Sequence, residues 1–125
     1  MNVVDSSAWL EYFAAGANAP FFAPAIENTD DLIVPTLSLY EVFKRVLQQR
    51  GENDALQAVA AMQQGRVVEL SAPLALAAAR FSLAHQLPMA DSVILATARA
   101  FSATLWTQDA DFEGLAGVNY RTARP

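Results

Sequence analysis

The sequence predicts an α/β protein in which a mainly parallel central sheet lies between helical layers. Three observations lead there. Short apolar segments (Asn2–Val4, Leu32–Val34, Arg66–Leu70 and Thr104–Trp106) alternate with longer stretches of helical periodicity. Helix punctuation separates them, with Gly51 and Gly65 at ends and Ser71 and Pro73 at a start. No repeat, linker or low-complexity stretch interrupts the 125 residues, which are enough for one domain with its own core.

The elements follow in order. Asn2–Val4 reads as a buried strand ending at Asp5, and Ser6 or Ser7 is expected to cap the helix AWLEYFAA, which stops before Gly16. Ala8, Trp9, Leu10, Tyr12 and Phe13 surround that helix, too many for one core-facing stripe, so a second chain is expected over one side. Pro20 suits the first turn of a short helix to about Asn28. Leu32–Val34 is the second strand. After Pro35, Thr36 or Ser38 is expected to cap a helix to Arg50, with Leu39, Tyr40, Phe43, Val46 and Leu47 as its apolar stripe and Gly51 just past its end. Asn53 is expected to cap a helix to Gln64. Arg66–Leu70 is the third strand. The helix Leu74–His85 presents Leu74, Ala77, Ala78, Phe81 and Ala84. A helix from Met89 to Ser102, the strand Thr104–Trp106, a turn around Asp111 and Gly114, and an edge strand through Val118 to Arg121 complete the chain.

Composition bounds the function. Apolar residues make up 54% and charged residues 17%, as in a globular chain. The longest charge-free run, Tyr12 to Ile26, is broken by Gly16, Asn18, Pro20 and Pro24 and falls short of a membrane span. No basic segment precedes the first apolar one, so no signal peptide and a cytoplasmic address are expected. The absence of cysteine excludes disulfides and thiolate metal sites, and a single histidine excludes a His-based one. The net charge of −5 argues at first against nucleic acid. If Asp5, Glu41, Asp91 and Asp109 are neutralised by a cation, eight basic residues face nine acids, and the objection falls away.

Ligands of open parallel sheets bind beyond the carboxyl ends of the strands. Asp5 and Asp109 each follow such an end. Asp91, near a helix start, shares a face with Ile94, Leu95 and Ala98, where a bare carboxylate is costly unless paired or metal-bound. Each acid has an ordinary alternative: capping for Asp5, an ion pair with Arg45 for Glu41, helix-dipole stabilisation for Asp91, and turn hydrogen bonds for Asp109 and Asp111. Together they suggest a carboxylate cage, with Asp109 preferred to Asp111. Oxygen-only ligation favours Mg²⁺ or Mn²⁺ over zinc. Ser6 and Thr107 are candidate hydroxyls for holding the carboxylates. His85 continues its own helix stripe and is expected to pack rather than react.

VVDSSAWLEYF at the start, YEVFKR around Glu41, HQLPMADSVILATA around Asp91 and LWTQDADFEGLAGV at the end together resemble a PIN domain. More narrowly, they resemble the VapC toxin of VapBC toxin–antitoxin pairs. The resemblance runs the length of the chain. It implies an α/β/α sandwich, Mg²⁺- or Mn²⁺-dependent endoribonuclease activity, a homodimer, and a cognate antitoxin laid across the active-site groove. By position it puts the family's acids on Asp5, Glu41, Asp91 and Asp109, with Asp111 as a frequent addition. Trp106 stands where a smaller aliphatic residue is usual.

The expected chemistry is hydrolysis of an RNA phosphodiester by metal-activated water. Two other classes fit an α/β chain of this size. One is a receiver-like signalling module, but Asp5 is followed by serines, Val34 by Pro35, and the only lysine is Lys44. The other is an interaction domain whose acids merely cap helices.

Overall fold

Side chains alternate along a strand, and this decides which residues enter which layer. The computed structural model describes residues 1–124. Strand β1 (Asn2–Val4) sends Val4 to one side of the sheet and Val3 to the other. Strand β2 (Leu32–Pro35) divides Leu32 and Val34 from Ile33 in the same way. Strand β4 (Thr104–Thr107) points Leu105 toward Val3 and Trp106 toward Val4. With β3 (Arg66–Val68) and β5 (Val118–Tyr120), they form a five-stranded sheet in the order β3-β2-β1-β4-β5, every pair parallel.

Crossovers between parallel strands are right-handed, so the direction of travel across the sheet fixes the side each helix takes. From β1 outward through β2 to β3 the chain passes through α1 (Ser6–Phe13), α2 (Ala19–Glu27), α3 (Thr36–Arg50) and α4 (Glu52–Met62). All four contribute to one core, built on Trp9, Phe22, Val42, Val46 and Met62. The chain then returns past β1 through α5 (Ala72–His85) and α6 (Met89–Ala100), and Ile94, Leu95 and Ala98 close the opposite core with Phe112. This is the expected α/β/α sandwich. Travel reverses between β1 and β4, which opens a crevice beyond the carboxyl ends of those two strands.

Several local expectations are corrected. Asp5, not a serine, occupies the N-cap position of α1, and it makes no side-chain cap bond. Pro35 takes that position for α3 because its fixed φ of −62° passes directly from strand to helix, leaving Thr36 inside. Gly51, at φ +93°, both ends α3 and precedes α4, so Asn53 caps nothing. Ser71 does cap α5, its hydroxyl accepting from the Leu74 amide. On α3 the buried line is Ser38, Val42 and Val46, while Tyr40 is 60% and Leu47 42% exposed. Of the expected stripe, Val46 is buried and Leu39 and Phe43 pack against the same core; only Tyr40 and Leu47 turn outward, because α3 packs against α1 and α4 as well as the sheet. Helix α5 buries only Ala78 fully, since it rests on α6 (Val93, Ala96) as an outer layer. His85 is exposed and stacks on Phe81. The aromatic crowd on α1 is met largely within the chain: Trp9 is fully buried, and Leu10, Tyr12 and Phe13 pack against the same core as α2 and α3. No helix among the described residues is long and apolar enough to cross a membrane.

Candidate metal centre

The crevice between β1 and β4 is where the acids meet. Asp5 leaves β1 at 2% exposure, and its Oδ2 accepts from the hydroxyls of Ser7 (2.7 Å) and Thr107 (2.9 Å). Burial still pushes its carboxyl above the ordinary value, opposed by those two hydrogen bonds and reinforced by the Asp109 charge. Thr107, fully buried at the end of β4, uses its hydroxyl twice: it donates to Asp5 and accepts from the Asp109 amide at 2.9 Å. Asp109 Oδ1 in turn accepts from the Asp111 amide at 2.9 Å, a local turn that sets the two carboxylates side by side. The 3₁₀ turn Ala110–Phe112 is anchored by Phe112, which is fully buried in the α6-side core.

From across the crevice comes Asp91, in the first turn of α6 behind the Pro88 N-cap. Carboxylate oxygens of Asp91, Asp109 and Asp111 lie within 4.8 Å of one another. Two unit charges at that separation repel by about 3 kcal/mol at an effective dielectric of 20. The carboxyl of Asp91 is accordingly pushed up to about 8, first by burial, then by the charges of Asp109 and Asp5 and by Asp111. Every charged group acting on it is an acid.

Glu41 is not part of this tight group. Its Oε1 accepts from Ser6 Oγ at 2.6 Å, which ties it to the residue following Asp5. Of the four acids singled out in the sequence, Asp91 and Asp109 come together directly. Asp5 lies close enough to feel the charge of Asp109 and to act on Asp91, and Glu41 joins through Ser6. Asp111, ranked behind Asp109 in the sequence, belongs to the inner trio. Sequence reasoning missed Ser7 as a donor, weighing it only as a cap. A hydroxyl two residues after an acid was the available signal. It also missed Asn18, buried at 1% exposure, whose Nδ2 donates to Gln108 Oε1 and to the Thr122 carbonyl, both at 3.0 Å. Asn18 thereby fixes the residue before Asp109 and the segment after β5, and its distance along the chain gave no sign of that.

The donor set is hard oxygen, without thiolate or imidazole, and it carries excess negative charge that a divalent cation would offset. It fits Mg²⁺ or Mn²⁺.

A PIN-domain family model matches residues 3–118. Among solved structures, the chain is similar to a toxin–antitoxin complex from Klebsiella pneumoniae, at 21% identity and a TM-score of 0.80, covering 95% of this chain and 96% of that one. It is also similar to VapC20 of Mycobacterium tuberculosis, described as a sarcin–ricin loop cleaving toxin, at 20% identity and a TM-score of 0.77, covering 94% and 98%. A third similar structure is VapBC2 from Rickettsia felis bound to a promoter DNA fragment, at 12% identity and a TM-score of 0.73, covering 97% of each. No curated protein matches the chain significantly.

Proposed function

The chain belongs to the PIN-domain family, and we propose that it is a divalent-metal-dependent endoribonuclease, the toxin of a VapBC-type pair. The observation that carries this reading is the inner trio, Asp91, Asp109 and Asp111, facing one another within 4.8 Å at the switch point of a parallel sheet. Every charge that acts on Asp91 there is negative, so a phosphate ester can approach only with a cation in place. Asp91, Asp109 and Asp111 would hold that cation, with Asp5 behind them and Glu41 alongside. When bound, it would lower the pKa of water at the site and offset charge on the phosphoryl oxygens.

The chain's own residues supply orientation. Thr107 locks Asp5 and the Asp109 backbone with one hydroxyl, Ser7 holds the second position on Asp5 Oδ2, and Ser6 holds Glu41 beside the crevice. Asp91, holding its proton at neutral pH without a cation, would give it up as the cation binds. RNA is favoured as substrate because a structurally similar protein is described as a sarcin–ricin loop cleaving toxin. By the same comparison a cognate antitoxin is the expected protein partner. A homodimer, a cytoplasmic address and residues 1–125 acting as one catalytic unit belong to the same proposal.

Incubating the purified chain with total RNA in Mg²⁺, Mn²⁺ or EDTA tests it. Cleavage is expected only with the cations, leaving 5′-phosphate and 3′-hydroxyl ends, because water rather than the 2′-hydroxyl attacks. Ends carrying 2′,3′-cyclic phosphate, or cleavage that survives EDTA, would reject the mechanism.

A further inference from the structure

Helix α3 exposes a face of which the catalytic reading uses only Glu41. Tyr40, Glu41, Lys44, Arg45 and Gln48 line an open cleft of about 370 Å³. Their spacing, at i, i+1, i+4, i+5 and i+8, puts them on one side of the helix. Tyr40 is 60% exposed, and Lys44 Nζ stands 5.6 Å from the centre of its ring. A tyrosine this exposed has no core to fill, and a lysine over one face of the ring leaves the other for a partner.

The cleft is tied to the acid site through Glu41. Glu41 lines it and accepts from Ser6, Ser6 follows Asp5, and Asp5 shares Thr107 with Asp109. Charge makes this path significant. The chain carries −5 overall, and its site is a concentration of acids. A polyanion held only at the reacting phosphate would feel repulsion on either side of it. Elsewhere, Arg66, Arg99 and Arg121 lie over Phe101, Phe81 and Phe21 of the chain itself, and Arg99 also donates to the Ala116 carbonyl. Lys44 and Arg45 are adjacent cations on the cleft that Glu41 shares with the acid site.

We propose that the Tyr40–Lys44–Arg45 face of α3 is a subsite for single-stranded RNA, with one unpaired base stacked on Tyr40 and flanking phosphates on Lys44 and Arg45. An exposed ring interleaved with cations is the chemistry that binds an unstacked strand without reading a duplex. The inference rests on the ribonuclease reading above and adds to it where the strand runs as it leaves the acids. It also requires an unpaired substrate, because a base locked in a helix cannot reach the ring.

The test is steady-state cleavage of a single-stranded RNA oligonucleotide in Mn²⁺, with Tyr40→Ala, Tyr40→Phe and the double variant Lys44→Ala/Arg45→Ala. Tyr40→Ala is expected to raise KM about tenfold, the order of one base stack on an aromatic ring, with kcat within about twofold. Tyr40→Phe keeps the ring and should restore KM. An oligonucleotide with one abasic position should weaken binding to the parent chain and not to Tyr40→Ala. The double variant should flatten the dependence of log KM on log salt by about 0.7 for each phosphate left without its cation. Cleavage by the parent chain with an unchanged KM in Tyr40→Ala would overturn the subsite and leave the nuclease reading standing. Absence of cation-dependent cleavage by the parent chain would overturn both. An unchanged KM accompanied by loss of self-association, or of binding to the protein encoded beside it, would assign this face to a protein interface instead.

Discussion

Replacing Asp91 by asparagine should weaken the pH dependence of stability in the metal-free protein. Its carboxyl sits near 8 in the fold against an ordinary 3.8, so the folded state binds the proton more tightly than the unfolded chain does. The sign follows. Stabilisation from this group is complete below about pH 4, declines as pH rises, and is gone above about pH 8, at up to roughly 1.4 kcal/mol per pH unit. From pH 6 to pH 8 the upper limit is about 2 kcal/mol. Asp91 is only partly buried, and solvent screening reduces this to roughly 1 kcal/mol, or about 4 °C in a chain of this length. Asp5 is shifted in the same direction and acts on Asp91 by its charge, so the variant keeps part of the dependence and the difference between the two proteins reports Asp91 together with its interaction with Asp5. Thermal melts in EDTA at pH 6, 7 and 8 should show the parent falling more steeply than Asp91→Asn. Adding Mn²⁺ to about 100 times its Kd should stabilise the parent by about 3 kcal/mol. At a fixed Mn²⁺ concentration that gain should be larger at pH 8, where fewer protons must be displaced, and mostly lost in the variant. Parallel pH dependence in EDTA, or an equal Mn²⁺ shift in both proteins, would refute the argument that these acids repel one another until a cation binds.

Asp109→Asn should reduce RNA cleavage by more than about 100-fold while leaving the circular dichroism spectrum intact, since the side chain meets its partners at the solvent edge of the crevice. Thr107→Val removes a donor from buried Asp5 and an acceptor from the Asp109 amide. It should cost about 1–3 kcal/mol in urea unfolding and lower cleavage by roughly 10- to 100-fold. Ser6→Ala frees Glu41 from its hydroxyl partner and should lower cleavage about tenfold with less than about 1 kcal/mol lost in the same unfolding assay. Phe112→Ala empties a fully buried site under the Asp109–Asp111 turn. A loss of about 3–5 kcal/mol is expected, read as a lower denaturation midpoint.

The fold was legible because its signals are local. A strand such as Leu32–Val34 between a turn and Pro35 reads the same in isolation as in the sheet. Glycine at position 51 ends a helix because φ +93° suits no other residue well. Helix faces were less legible. Tyr40 and Leu47 share apolar character with Val42, and only docking against α1 and α4 decided that Val42 faced inward and the other two did not. Capping was misjudged at three helices for a related reason. The serines at the start of α1, for example, had other partners: Ser6 reaches Glu41, 35 residues away, and Ser7 reaches Asp5.

By itself the sequence determined the alternation of strands and helices, the absence of sulfur and imidazole ligands, and the acids that close strands or open helices. Those properties follow from residue type and spacing, which any stretch of chain carries with it. Tertiary structure alone decided that Asp111 joins Asp91 and Asp109, that Glu41 stands off behind Ser6, and that Thr107 serves two carboxylate residues at once. These facts depend on the order β3-β2-β1-β4-β5, which carries β4 back across β1 and brings residues about a hundred positions apart to the same edge of the sheet. A carboxylate's cost and use are set by which other charges come within a few ångströms of it, and chain spacing does not encode that distance.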